Sequence, residues 1–185
     1  MKKIILMSLL IFSTLLTGGL NAQNSKTLIV YFSWGGNTKT AADMIKNITK
    51  SDMFEIKTVK AYPSSYNDTV NQARQELNNN VLPDLSSSIN NLSNYDTIIL
   101  CYPNWWGTIP QAVKQLLLTH NFSGKKIAPL CTHGGGGMGR SLNDIRNLCP
   151  NSTILNSLSI SGGNVNSSQN NIRNWLNNIN ILSSN

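Results

Sequence analysis

Three short segments hold the residue types from which a ligand site can be built. The first, Ser33-Trp34-Gly35-Gly36-Asn37-Thr38, joins an apolar run to a helical pattern. At a helix amino terminus the unpaired backbone N–H groups and the helix dipole favour an anion. A phosphate would sit there, with Gly35 and Gly36 letting the main chain curl around it. The hydroxyls of Ser33 and Thr38 and the amide of Asn37 add donors. An N-capped helix after a glycine turn accounts for the same residues without a ligand. The spacing has neither the lysine of a Walker loop nor the three spaced glycines of a dinucleotide fingerprint.

The second segment, Pro103-Asn104-Trp105-Trp106-Gly107, offers two large aromatic faces and flexible backbone. Stacking a conjugated ring on an indole gains about 0.5–1.5 kcal/mol beyond burial; the alternative is that the tryptophans are core or interface residues. The third, Thr132-His133-Gly134-Gly135-Gly136-Gly137-Met138-Gly139, permits close approach of main chain to a ligand edge. His133 is either a titrating donor there or an ordinary surface group. No paired carboxylates or activated nucleophile accompany these loops. His120, His133 and the cysteines lack ligand spacing, so no metal centre is expected.

All three loops follow predicted strands. Thr27–Phe32 is a continuous β-branched and aromatic run of the kind buried on both faces of a parallel sheet. From Thr38 the period becomes helical, with Ala41, Ala42, Ile45 and Ile48 on one stripe. Further strands are predicted at Met53–Val59, Asp96–Tyr102, Lys126–Thr132 and Thr153–Ser159. Helices are predicted at Tyr66–Leu77, Pro110–Leu118 with Pro110 in the first turn, and Ser141–Leu148, with a last one carrying Ile172, Trp175, Leu176 and Ile179. Strands alternating with helices imply right-handed crossovers and one parallel sheet covered on both sides, a three-layer doubly wound α/β fold. Ligands of such folds bind at the carboxyl ends of the strands, where the unusual loops lie.

One domain, residues 23–185, is expected. Residues 1–22 have two lysines, an apolar stretch from Ile4 to Leu16 and small residues ending in Ala22, the layout of a cleaved secretory signal. The mature protein is then exported, periplasmic or secreted, with no stable membrane span. Losing Lys2 and Lys3 lowers the formal charge from +7 to +5. The remaining basic residues are scattered, which excludes nucleic acid as a partner and suits an anionic small molecule or an acidic protein. Of the three cysteines, Cys131 and Cys149 flank a helix spanning about 14 Å, too far for a disulfide with its limit near 7 Å. Cys101 and Cys131 lie on neighbouring strands, where either a bridge or two buried thiols is possible.

The first loop resembles the phosphate loop of flavodoxins, in which a hydroxyl residue ends the first strand and Gly-x-Thr opens the helix. Tyr31-Phe32-Ser33-Trp34-Gly35-Gly36-Asn37-Thr38 matches it, with Gly35 where a hydroxyl residue often stands. From Thr27 onward the chain is similar to a flavodoxin-like subgroup with Tyr-Pro after strand two and a glycine-rich fourth loop. The resemblance implies a five-stranded sheet of order 2-1-3-4-5 and noncovalent FMN as cofactor. It places the phosphate on Ser33–Thr38 and the ring between Pro103–Gly107 and Thr132–Gly136, whose N–H groups would face the pyrimidine edge. It also implies electron transfer to a redox partner protein or a small electron acceptor. An NAD(P)H-dependent quinone-type reductase is a second reading, and the basic charge departs from the acidic carriers of the family. A ligand- or partner-binding module without redox chemistry is a third, kept open by Gly35.

Overall fold

The computed structural model describes residues 26–182. The expected signal segment, residues 1–22, lies outside the described residues. The strands are β1 (Thr27–Tyr31), β2 (Asp52–Glu55), β3 (Thr97–Pro103), β4 (Lys126–His133), β5 (Thr153–Ile154) and β6 (Leu158–Ser161). The helices are α1 (Asn37–Thr49), α2 (Tyr66–Asn78), α3 (Gln111–Thr119), α4 (Ser141–Leu148) and α5 (Gln169–Asn178). All strand pairs are parallel, in the order β2-β1-β3-β4-β5, with β6 also beside β4. The doubly wound 2-1-3-4-5 sheet is therefore the observed fold. Among the described residues no helix is long and apolar enough to cross a membrane.

Side chains alternate across the sheet and make two cores. Leu28, Val30, Ile98, Leu100 and Tyr102 face α3 and α4 through Val113, Leu116 and Ile145. Ile29, Tyr31, Ile99 and Leu130 face α1 and α5 through Ala42, Ile45, Ile172 and Leu176. Burial on both sides explains why the central strands read as unbroken apolar runs.

The structure corrects the predicted elements in three places. The fifth strand, expected at Thr153–Ser159, is divided into β5 and β6. Lys126 and Ile127 pair with β5 and Leu130–His133 pair with β6, so the gap falls at Ala128 and Pro129. Proline has no N–H to give to a ladder, which makes this the position where pairing lapses. The second strand ends at Glu55 rather than Val59. Residues 57–59 turn away to meet residues 84–86, with Val59 N donating to Asp84 O at 2.8 Å and Ser86 N to Lys57 O at 2.9 Å. Pro110 is the N-cap of α3, not a first-turn residue.

The three cysteines are free and buried. Cys101 packs in the α1/α5 core and Cys131 in the α3/α4 core, so the thiols lie on opposite faces of the sheet and no bridge joins them. Burial pushes Cys131 up to about 12 and Cys149 up to about 11, and Cys101 higher still. A protonated thiol is a poor nucleophile. A maleimide reagent at pH 8 is thus expected to leave the native protein unlabelled over minutes and to add to all three cysteines once denaturant is present, read by mass spectrometry.

Candidate functional site

At the carboxyl ends of β1, β3 and β4 lies a cleft of ≈ 460 Å³, within the range of small-molecule sites. Its floor begins with the Ser33–Thr38 loop. Gly36 is the N-cap of α1 with φ +89°, a left-handed turn that glycine adopts without steric cost. Gly35 is not in that region, and a Cβ there would meet nothing within 4 Å. Ser33 Oγ is buried and has no hydrogen-bond partner among the described residues. Leaving a buried hydroxyl unpaired costs about 1–3 kcal/mol. Thr38 is different, because its hydroxyl is 2.7 Å from that of Thr132. That pair ties the start of α1 to the end of β4.

In the second loop Trp105 and Thr108 exchange backbone hydrogen bonds of 3.0 and 3.1 Å. Trp106 (φ +53°) and Gly107 (φ +77°) make the turn between them, the two left-handed residues of a type I′ turn. For tryptophan that conformation costs about 1–2 kcal/mol. Trp106 is held in place by its Nε1–H, which donates to Val70 O at 3.0 Å, and its ring carries the Arg74 guanidinium 4.8 Å above it. Trp105 turns inward and meets Phe32 (5.3 Å) and Tyr62 (5.0 Å) edge-on. The phenol of Tyr62 donates to Glu76 Oε2 at 2.7 Å; burial and this bond hold it well above the ordinary phenol range. Both tryptophans line the cleft, one as the edge of an aromatic cluster and the other at the rim.

Asn104 fixes the second loop to the third. Its backbone N–H donates to Thr132 O (2.7 Å), its Nδ2 donates to Gly137 O (2.7 Å) and its Oδ1 accepts from Gly107 N (2.8 Å). Arg140 N donates to Gly107 O at 2.8 Å. Gly139, at φ +52°, lies so close that a Cβ on it would stand 2.9 Å from Gly107 Cα and nearer still to its carbonyl carbon and oxygen. His133 Nδ1 accepts from Gly135 N at 3.0 Å, which leaves Nε2 as the nitrogen that carries the proton in the neutral ring.

Of the residues singled out in the sequence, Ser33, Trp34, Gly35, Asn37, Thr38, Pro103, Asn104, Trp105, Trp106, Thr132, His133 and Gly134 line the cleft. Gly36, Gly107, Gly135 and Gly136 do not; they shape the loops that carry the lining residues. Sequence reasoning missed one wall, formed by Tyr66, Thr69, Val70 and Ala73 of α2. These stand at i, i+3, i+4 and i+7, one stripe of a helix, and that spacing was the available signal. Two cleft residues anchor on this region: Trp34 Nε1 donates to Pro63 O at 2.8 Å, and Thr69 Oγ1 donates to the same carbonyl at 2.8 Å. Gly162 was missed as well. It follows β6, and a Cβ there would come within 2.7 Å of Asn37 Nδ2.

Among the described residues, no charged side chain lines the cleft. Among the described residues no group of His, Cys, Asp and Glu is placed to hold a metal. An anion here would rely on neutral donors and the α1 dipole.

Comparison with known proteins agrees with this geometry. Residues 26–179 match the family model described as Flavodoxin. No curated protein matches the chain. A solved structure of a candidate flavoprotein from Bacteroides eggerthii DSM 20697 is 26% identical, with a TM-score of 0.75 over 84% of this chain and 98% of that one. Another from Bacteroides uniformis ATCC 8492 is 24% identical, with a TM-score of 0.74 over 83% and 98%. A flavoprotein from Lactobacillus acidophilus NCFM, solved in complex with FMN, is 24% identical, with a TM-score of 0.66 over 77% and 97%.

Proposed function

Because the chain belongs to the flavodoxin family, we propose that it is a redox protein that holds noncovalent FMN in the cleft described above. When bound, FMN supplies one- or two-electron chemistry at its ring. The residues present fit the group. Ser33 carries the proposal, since its buried hydroxyl lines the cleft and lacks a partner that a phosphate oxygen would provide. Asn37 and Thr38 open α1, whose first N–H groups have no acceptor within the helix. Trp105, Trp106 and Trp34 with Val70 and Ala73 supply apolar walls that would keep water from a planar ring. His133 can donate from Nε2 while Nδ1 is occupied by Gly135.

An FMN titration of residues 23–185, followed by flavin fluorescence, tests the reading. Saturable uptake is expected. Ser33→Ala should weaken it about tenfold or more, the loss of one hydrogen bond to a charged group. Gly35→Ser should tighten it a few-fold, since the backbone there suits any residue, the space is open and a donor is regained. Failure to take up FMN at micromolar concentration would leave a non-redox binding module as the better reading. Steady NAD(P)H consumption with a soluble quinone would mark an enzyme; exchange of single electrons with a partner protein alone would mark a carrier. Export outside the cytoplasm is part of the proposal and rests on residues 1–22 alone.

A further inference from the structure

A second cavity, of ≈ 280 Å³, opens where the end of α2 meets the starts of α3 and α4. It shares no lining residue with the cleft proposed for FMN. Gln111 is part of its wall, only 4% exposed and fixed by its Nε2, which donates to Glu76 O at 3.1 Å. Charge in this cavity is unbalanced. Lys114 and Arg140 bring two cations to it against the single carboxylate of Asp144. That carboxylate is already engaged, by Arg140 Nε at 3.1 Å and by the Thr108 hydroxyl. Lys114 is half-buried and belongs to none of the ion pairs among the described residues, its Nζ donating to the neutral Asn80 Oδ1 at 2.5 Å. An ammonium drawn partly out of water without an opposite charge beside it has an uncompensated desolvation cost. Leu77, Ile109 and Leu148 give the same cavity an apolar side.

We infer that this cavity is a second ligand site, and that its ligand is a small organic monoanion, a carboxylate with a short apolar tail. The carboxylate meets Lys114 Nζ. Asp144 takes only Nε of Arg140, which leaves the terminal guanidinium nitrogens to donate as well. The tail lies on Leu77, Ile109 and Leu148. Two cations against one carboxylate leave a single positive charge, which a monoanion neutralises and a phosphate or dicarboxylate would overshoot. A volume of ≈ 280 Å³ lies just under the range of about 300–1,000 Å³ for drug-sized ligands, the room for a chain of several carbons. The site is separate from the cofactor cleft, so the inference does not rest on FMN being bound.

A matched pair of probes, hexanoate and its neutral isostere hexanamide, tests this by NMR titration of the ¹⁵N-labelled protein, with and without FMN added. Hexanoate is expected to give saturable shifts at Leu77, Lys114 and Leu148, and to bind about fivefold tighter than hexanamide, the size of a modest charge contact. Lys114→Gln should abolish that preference without weakening hexanamide, Lys114→Arg should keep part of it, and neither should change FMN affinity. Hexanoate should bind equally well whether or not FMN is present. Equal binding of the two probes, or a preference that survives Lys114→Gln, overturns the inference. So does competition between hexanoate and FMN, or shifts centred on Ser33–Thr38, either of which would place the probe in the cofactor cleft. A protein that takes up no FMN would sink the cofactor reading alone, since the probe titration is read independently of it.

Discussion

Gly139→Ala is expected to damage the protein more than any other single methyl group added near the cleft. The new Cβ would stand 2.9 Å from Gly107 Cα and closer to its carbonyl, so backbone meets backbone and no side chain can swing aside. The φ of +52° adds the left-handed penalty of an L-residue. Together these amount to about 2–4 kcal/mol, an overpacking term plus a conformational one. The urea midpoint should fall with an unchanged slope, and FMN uptake should fall with it. The reason lies in the loops' mutual dependence: Arg140 N bonds Gly107 O, and Asn104 bonds both Gly107 and Gly137. Gly134→Ala serves as the control, since its Cβ would meet nothing within 4 Å and its φ is not left-handed. Equal stability of Gly139→Ala and wild type would show that the two loops can separate without cost.

The second large effect is expected from Trp105→Ala, set against Trp106→Ala. Trp105 is partly buried and contacts Phe32 and Tyr62, and through them the α3/α4 core. Removing the indole should cost about 2–4 kcal/mol, somewhat below the value for a fully enclosed tryptophan. It should weaken FMN about tenfold or more by opening the cleft wall. Trp106 makes one hydrogen bond and one cation contact from an exposed position, so its loss should change stability by about 1 kcal/mol or less. FMN affinity should still fall. Two adjacent tryptophans are thus expected to separate into one that supports fold and cleft together and one that serves the rim. Equal losses of stability in the two variants would contradict that division, and thermal denaturation beside the FMN titration reads both quantities.

Much of the fold was legible because the central strands are buried on both faces. Leu28 to Phe32 and Ile98 to Tyr102 advertise themselves as apolar runs, and the helices between them show a clear stripe. The loops were legible for a related reason: glycines and tryptophans directly after such runs break the strand pattern, although Trp105 packs against one of the two cores. What escaped was information held between segments. The Tyr66–Ala73 stripe belongs to a helix polar enough to look merely solvent-facing, and only the packing of the α2 amino terminus against Trp34 and Trp106 makes that stripe a wall. Gly162 becomes significant through Asn37, more than a hundred positions earlier. Pro129 lay in plain view inside a predicted strand, yet its effect appears on the neighbouring strand rather than its own. The hydroxyl of Thr38, read as a phosphate donor, is directed to Thr132, a partner no local pattern identifies.

That interrupted neighbour has a consequence for how the molecule keeps to itself. The outer border of the sheet on the β4 side is two residues of β5, a break, and four residues of β6. The opposite border, β2, is four residues with an acidic group at each end. Long, flat borders with free backbone groups invite another chain to add itself as one more strand, and short, broken or charged ones do not. By lapsing opposite Pro129, the pairing that looks like a defect in the fifth strand leaves a border too short and uneven to seed that kind of self-association.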